Sequence, residues 1–98
     1  MASSKLTKAE IIESVYEKVK INRKDIHTVI DEMLNEIKDA LTQDRVVELR
    51  GFGTFEVRTR KGRVHARNPK TGEIVSVENH GVAVFRPGRE LKKTVWSL

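Results

Sequence analysis

An α+β fold is predicted for this 98-residue chain, and three observations predict it. Apolar residues recur with a helical period as far as Leu41. From Val46 the period drops to two, as in half-buried strands. After Pro87 a helical spacing returns. The expected order is helix, helix, strand, strand, strand, helix. A chain of this length holds one small domain at most.

The first helix announces itself at Thr7-Lys8-Ala9-Glu10. Thr7 can accept from a backbone N–H while Glu10 reaches back to the cap. Ile11, Ile12, Val15, Tyr16 and Val19 then form a stripe, so a helix is expected over 8–20. Asn22 is a plausible second N-cap. Behind it Ile26, Val29, Ile30, Met33, Leu34, Ile37 and Leu41 mark one face of a helix over 23–42. Asp31, Glu32, Glu36 and Asp39 fill its polar side and read as a solvated face.

In the second half, Phe55 and Val57 alternate with Glu56, Arg58 and Arg60. Gly51 and Gly53 punctuate a tight turn between two strands. A third strand is expected to cover Ile74–Val77 and Val82–Phe85, with a bend or bulge at Gly81. Pro87-Gly88 opens a short last helix, where a missing N–H costs nothing. Leu91, Val95 and Leu98 share its apolar face, and Trp96 reads as a packing residue. Residues 58–78 are poor in core candidates, with Val64, Ala66, Ile74, Val75 and Val77 alternating about a central turn. They read as a two-stranded ribbon that projects from the body. An isolated hairpin is marginal in water, so such a ribbon implies a ligand.

Composition narrows the function. The chain lacks cysteine, which excludes disulfides, thiolate zinc and thiol catalysis. No apolar run approaches the roughly 20 residues of a membrane span. The N-terminus has no apolar signal region, so a cytosolic location is the default expectation. Residues 1–5 read as a disordered leader before a single domain over 6–98. Net charge is +5 but uneven. Residues 45–98 hold twelve Lys/Arg against five Asp/Glu, whereas residues 22–44 hold three against six. A polyanion on one side of the folded body fits that polarity. Hydrophobic residues are 38% and aromatics 5%, a thin supply for a core. A chain this short buries only about 60–65% of its unfolded surface, and oligomerisation is one remedy.

The sharpest signal is "RVHARNPKTGE" over 63–73. Between Val57 and Gly72 lie Arg58, Arg60, Lys61, Arg63, Arg67 and Lys70, with no acid among them. Like charges on a ribbon repel, and a polyphosphate would neutralise them with release of counterions. Asn68-Pro69 with Gly72 makes a hairpin turn. The Pro69 ring is also rigid and apolar, suited to wedge between base pairs. Arg67 and Asn68 beside it can reach minor-groove acceptors, which mainly separate A·T from G·C.

"GFGTFEVR", "ARNPKTGE" and "FRPGRELKKTV", in that order, resemble the HU/IHF family of bacterial DNA-bending, nucleoid-associated proteins. The resemblance covers about residues 6–95. It implies an intertwined dimer: two helices per subunit form a base, a three-stranded antiparallel sheet forms a saddle, and ribbon arms wrap duplex DNA. Phe52, Phe55, Phe85, Ile30, Leu34 and Ile37 would then share a dimer core. Pro69 would intercalate, with Arg67 and Asn68 in the minor groove. Arg58, Arg60, Lys61, Arg63 and Lys70 would line the arm. Lys8 and Arg89, each at a helix start, match phosphate-clamping positions, and helix N-termini attract phosphate. The partners implied are double-stranded DNA and a second subunit, identical or a paralogue, in the bacterial nucleoid. RNA enters only as a side activity, and no cofactor is implied. Ala66 stands where a Gly often precedes Arg-Asn-Pro, which bears on ribbon twist.

Glu48 and Arg50 are two apart on an expected strand and so share a face. A carboxylate there would orient the guanidinium, and the sequence-specific branch of the family has a similar pair. An exposed ion pair worth about 0–1 kcal/mol is the plainer reading. Enzymatic chemistry has no constellation to rest on: His27, His65 and His80 fall on a helix, the ribbon and a loop, without metal-ligand spacing. RNA recognition would need aromatics on an exposed sheet. Strand addition to a protein partner is opposed by the ribbon's cations.

Overall fold

A computed structural model describes residues 4–98, apart from the side chains of residues 64–66 and 75. The leader expected at 1–5 therefore falls largely outside the described residues. By internal packing the chain divides into Met1–Lys38 and Asp39–Leu98.

In the first unit, helix α1 spans Lys8–Lys18. Its capping box forms as the sequence requires: Thr7 Oγ1 accepts from the Glu10 amide at 3.3 Å, and Glu10 Oε1 accepts from the Thr7 amide at 3.3 Å. The helix stops two residues short of the expected end, because Val19 turns to extended backbone. Helix α2 spans Arg23–Thr42, matching the expected bounds. Asn22 caps it, its Oδ1 accepting from the Asp25 amide at 2.9 Å. Arg23 lies 4.0 Å over the Tyr16 ring and donates to Glu13 at 2.7 Å, tying the start of α2 to α1. Ile12 and Ile26 are buried, but much of the α2 apolar face is not: Val29, Met33 and Leu34 are all exposed.

The end of α2 belongs to the second unit. Asp44 takes the left-handed conformation with φ 57°. The Arg45 amide then reaches the Ala40 carbonyl at 2.9 Å and the Asp44 amide the Leu41 carbonyl at 3.0 Å, which stops the helix without a glycine. Strands β1 (Val47–Leu49), β2 (Gly53–Arg60), β3 (Arg63–Arg67), β4 (Ile74–Val77) and β5 (His80–Pro87) follow, then helix α3 (Arg89–Val95). They form a three-stranded antiparallel sheet, β1-β2-β5, and a separate two-stranded ribbon, β3-β4.

Three expectations are corrected here. The expected third strand is two strands in different sheets, divided at Glu78-Asn79. There the Gly62 amide donates to Asn79 Oδ1 at 2.7 Å. A Cβ at Gly62 would collide with the Val77 carbonyl oxygen. Gly81 makes no bend, since β2 and β5 stay in register from Gly53↔Pro87 to Arg60↔His80. Instead the register shifts in the ribbon, between Arg63↔Val77 and Ala66↔Val75. Pro87 ends β5 rather than opening α3, and Gly88 is the N-cap.

Register sorts the sheet into two faces. Val47, Phe55 and Phe85 stand opposite one another and share the apolar face. The Phe85 ring packs 5.2 Å from Phe52 and 4.9 Å from Phe55, with tilted rings. Within one chain Phe52 is still 48% exposed and Phe85 38%. On α3, Leu91 is half-buried, whereas Leu98 beyond its end is fully exposed.

Candidate nucleic-acid interface

The ribbon tip is a closed loop built by local chemistry. The Asn68 amide donates to the Glu73 carbonyl at 2.7 Å and the Gly72 amide to the Asn68 carbonyl at 2.7 Å. Asn68 Oδ1 accepts from the Lys70 amide at 2.9 Å, the side-chain turn that asparagine favours. Gly72 sits at φ 75°, where an L side chain is strained. Pro69 therefore stands exposed on a backbone held from both sides, with Arg67 and Lys70 exposed beside it. Arg58, Arg60, Lys61 and Arg63 are exposed along the strands and the join that lead to the tip. The side chain of His65 lies outside the described residues.

On the polar face of the sheet, Glu56 accepts from Arg86 Nε at 2.5 Å and from Arg58 Nη2 at 3.2 Å. The side chain of Glu56 is only 18% exposed. The Arg86 hydrogen bond, reinforced by Arg58, holds its carboxyl below the ordinary carboxylate range. The arrangement gathers two cations about one anion, so the cluster keeps net positive charge. Arg86 was missed in the sequence because its partner is 30 residues away and only the β2–β5 register joins them.

Glu48 and Arg50 are not paired in this way. Strand β1 ends at Leu49, and Arg50 lies in the turn closed by the Phe52 amide on the Leu49 carbonyl at 2.9 Å, with Gly51 at φ 85°. Arg50 lies beyond the strand, so strand alternation does not put it on one face with Glu48. Among the described residues no ion pair joins the two. Both are exposed, Glu48 opposite Thr54 and Arg50 on the turn.

Lys8 is the first residue of α1 and Arg89 the first of α3, as expected. Lys8 is not a free cation: its Nζ lies 2.7 Å from Asp31 Oδ1, and His27 Nδ1 lies 3.0 Å from Asp31 Oδ2. The Lys8 hydrogen bond, with a smaller contribution from His27, holds the Asp31 carboxyl below its usual range. Asp31 is thus not part of a merely solvated acidic face. His80 opens β5 rather than lying in a loop, with Nδ1 2.8 Å from the Glu78 carbonyl. Trp96 is 78% exposed, against the packing role expected of it. No described helix is long and apolar enough to cross a membrane.

Of the apolar residues expected in a shared core, Phe52, Phe55 and Phe85 come together on the sheet. Ile30 and Ile37 are half-buried on α2 and Leu34 is exposed.

Residues 6–96 match the family described as bacterial DNA-binding protein. The chain is 43% identical over 90 residues to integration host factor subunit alpha of Pseudoalteromonas translucida, spanning 92% of this chain and 90% of that one. It is 42% identical over 90 residues to the same subunit of Xanthomonas campestris pv. campestris, with the same coverage. Its fold is similar to Anabaena HU in a cocrystal with DNA, with TM-score 0.80 and 34% identity over 91% of this chain and 97% of that one. An HU variant from Thermotoga maritima aligns with TM-score 0.67 and 29% identity, over 91% and 97% of the two chains.

Proposed function

Because the chain belongs to the HU/IHF family of bacterial DNA-binding proteins, architectural proteins rather than enzymes, we propose that it binds the minor groove of duplex DNA as a dimer and bends it by intercalating Pro69 from each arm. The observation that carries this reading is the tip itself: an exposed proline on a hydrogen-bonded loop, flanked by Arg67 and Lys70. Arg67 and Asn68 contact the groove beside the wedge. Arg58, Arg60, Lys61, Arg63 and Lys70 neutralise phosphates along the arm, and Lys8 and Arg89 clamp phosphates on the body. HU and IHF are themselves type cases of such wedges, which unstack a step for a few kcal/mol and kink the duplex by about 20–90°. Smooth bending of a 20–30 bp site costs of order 1–6 kcal/mol, which the added contacts must exceed. Flexible, nicked or A·T-rich duplexes should therefore bind better.

Dimerisation is supported by what one chain leaves uncovered: Leu34 on α2 and, on the sheet, Phe52 and Phe85. A second copy would cover them and complete the core with Ile30, Ile37 and Phe55. The work of such a dimer is to shape bacterial chromosomal DNA, in the cytoplasmic nucleoid.

End-to-end energy transfer on a short, doubly labelled duplex tests the reading. Wild type should shorten the duplex strongly. Pro69→Ala should still bind but bend much less. Binding without shortening by wild type would reduce the protein to a basic clamp.

One observation favours a second reading. The similar proteins from Pseudoalteromonas and Xanthomonas are named as an alpha subunit, which fits a paralogous partner and a sequence-specific bender. In that reading Arg50, exposed on its turn, supplies a modest base preference. Arg50→Ala should then lower the affinity ratio between preferred and random duplexes, and an unchanged ratio would remove Arg50 from it. The similarities lend no support to the RNA side activity.

A further inference from the structure

One face of α3 is built unlike the rest of the surface. Arg89, Lys92, Lys93 and Trp96 line a single open depression of about 500 Å³. Relative to Arg89 they fall at i+3, i+4 and i+7, so they lie along one helical stripe with neighbouring Cβ atoms about 5–6 Å apart. The apolar side chain that α3 buries most, Leu91, is not among them. Glu90, the helix's acid, does not line the depression either. The indole is 78% exposed and stands at the C-cap, where the backbone is still helical. A large exposed indole beside three cations, with no acidic side chain lining the depression, fits a ligand that alternates flat aromatic faces with anions.

We propose that this face of α3 is a second nucleic-acid site, one that takes an unpaired base of a single strand, gap or flap. Trp96 stacks on the base while Lys92 and Lys93 meet the flanking phosphates, and Arg89 at the helix start stays with the duplex. Charge complementarity selects a polyanion. The indole selects the unpaired form, because a base inside a duplex has both faces covered by its neighbours, whereas a single strand offers a face at every nucleotide. An acidic protein segment would satisfy the cations but leave the indole without a flat partner. The site is separate in chemistry from Pro69, which enters a stacked duplex rather than receiving an unstacked base. Arms on a duplex and α3 on an unpaired base would together favour DNA with an interrupted strand.

The chain has one tryptophan, so fluorescence excited at the red edge, where Tyr16 does not absorb, reports Trp96 alone. The full-length protein is titrated with an oligothymidylate and, separately, with a closed duplex hairpin of equal phosphate count. The expected result is saturable quenching by the single strand, with little change from the duplex. Trp96→Leu should weaken single-strand binding, read by anisotropy of a labelled oligonucleotide, by roughly 5- to 150-fold, the range for loss of one stacked base. Trp96→Phe should restore part of it. Lys93→Ala should lower the salt slope for the single strand by about 0.7. Duplex bending should stay unchanged in all three variants. Absence of quenching while duplex bending persists overturns the site and leaves the bending function standing. So does quenching that follows protein concentration without DNA, which would mean a second copy covers Trp96. Equal quenching by an acidic peptide would also overturn it, making the face a protein-docking surface.

Discussion

Arg86 and Glu56 are diagonal neighbours across the β2–β5 ladder, Nε to Oε1 at 2.5 Å, and Arg58 completes the cluster from the same strand as Glu56. The carboxyl is held below its ordinary range by these donors. Its contribution to stability is therefore fully present above the unfolded glutamate value of about 4.3 and is lost as pH falls through the folded value. Asp31, lowered by Lys8, behaves in the same direction. Thermal midpoints followed from about pH 6 downward should fall more gently for Glu56→Gln and Asp31→Asn than for wild type. Equal acid slopes would mean that neither carboxyl carries the effect.

Lys8 and Asp31 make the second prediction. DNA binding by Lys8 must exchange a carboxylate 2.7 Å away for a phosphate. Lys8→Ala should lower the slope of log affinity against log salt by about 0.9, one phosphate contact. Asp31→Asn should instead strengthen duplex binding at low salt, by up to about fivefold, because an exposed pair is worth about 0–1 kcal/mol. Lys8→Ala with an unchanged slope would remove Lys8 from the interface.

The ribbon tip gives a local prediction. Gly72→Ala places a Cβ at φ 75°, which costs roughly 1–2 kcal/mol. Asn68→Ala removes the acceptor for the Lys70 amide at a cost of about 1 kcal/mol. The ribbon is a sheet of its own, so the loss should appear in ribbon amide exchange, about tenfold faster, with little change in the global melting point. An equal loss in global stability would show that the ribbon unfolds with the body.

These residues also show what was legible in the sequence. Thr7 with Glu10, Asn22 as an N-cap, and Asn68 with Gly72 are cues no more than five residues wide, and each formed the local structure it predicts. The end of α2 at Thr42 was legible from the apolar stripe, but its stop was not: Asp44, not glycine, takes the left-handed position. The break between β4 and β5 was hidden for another reason. A period of two continues across both strands, and the contact that separates the sheets, Gly62 to Asn79, spans 17 residues. The Arg86–Glu56 pair needed a register no local pattern supplies. Arg50 was misplaced by one residue at a strand end, enough to dissolve a same-face argument.

Phe85 gives the last prediction. Its ring touches Phe52 and Phe55 yet remains 38% exposed in one chain. Truncating a fully buried Phe costs about 3–5 kcal/mol, and a ring left partly in water should cost clearly less. The two cases separate by concentration. If a second copy covers the ring, wild-type stability depends on protein concentration, and a hundredfold dilution lowers it by about 2.7 kcal/mol. Phe85→Ala should then show the full-burial loss together with a shift toward monomer in sedimentation. Denaturation curves at two concentrations for both proteins decide it. The proposed dimer requires that the wild-type midpoint move with dilution. A midpoint that stays fixed, with a small Phe85→Ala loss, would place the aromatic cluster in the core of a single chain and end the shared-core reading.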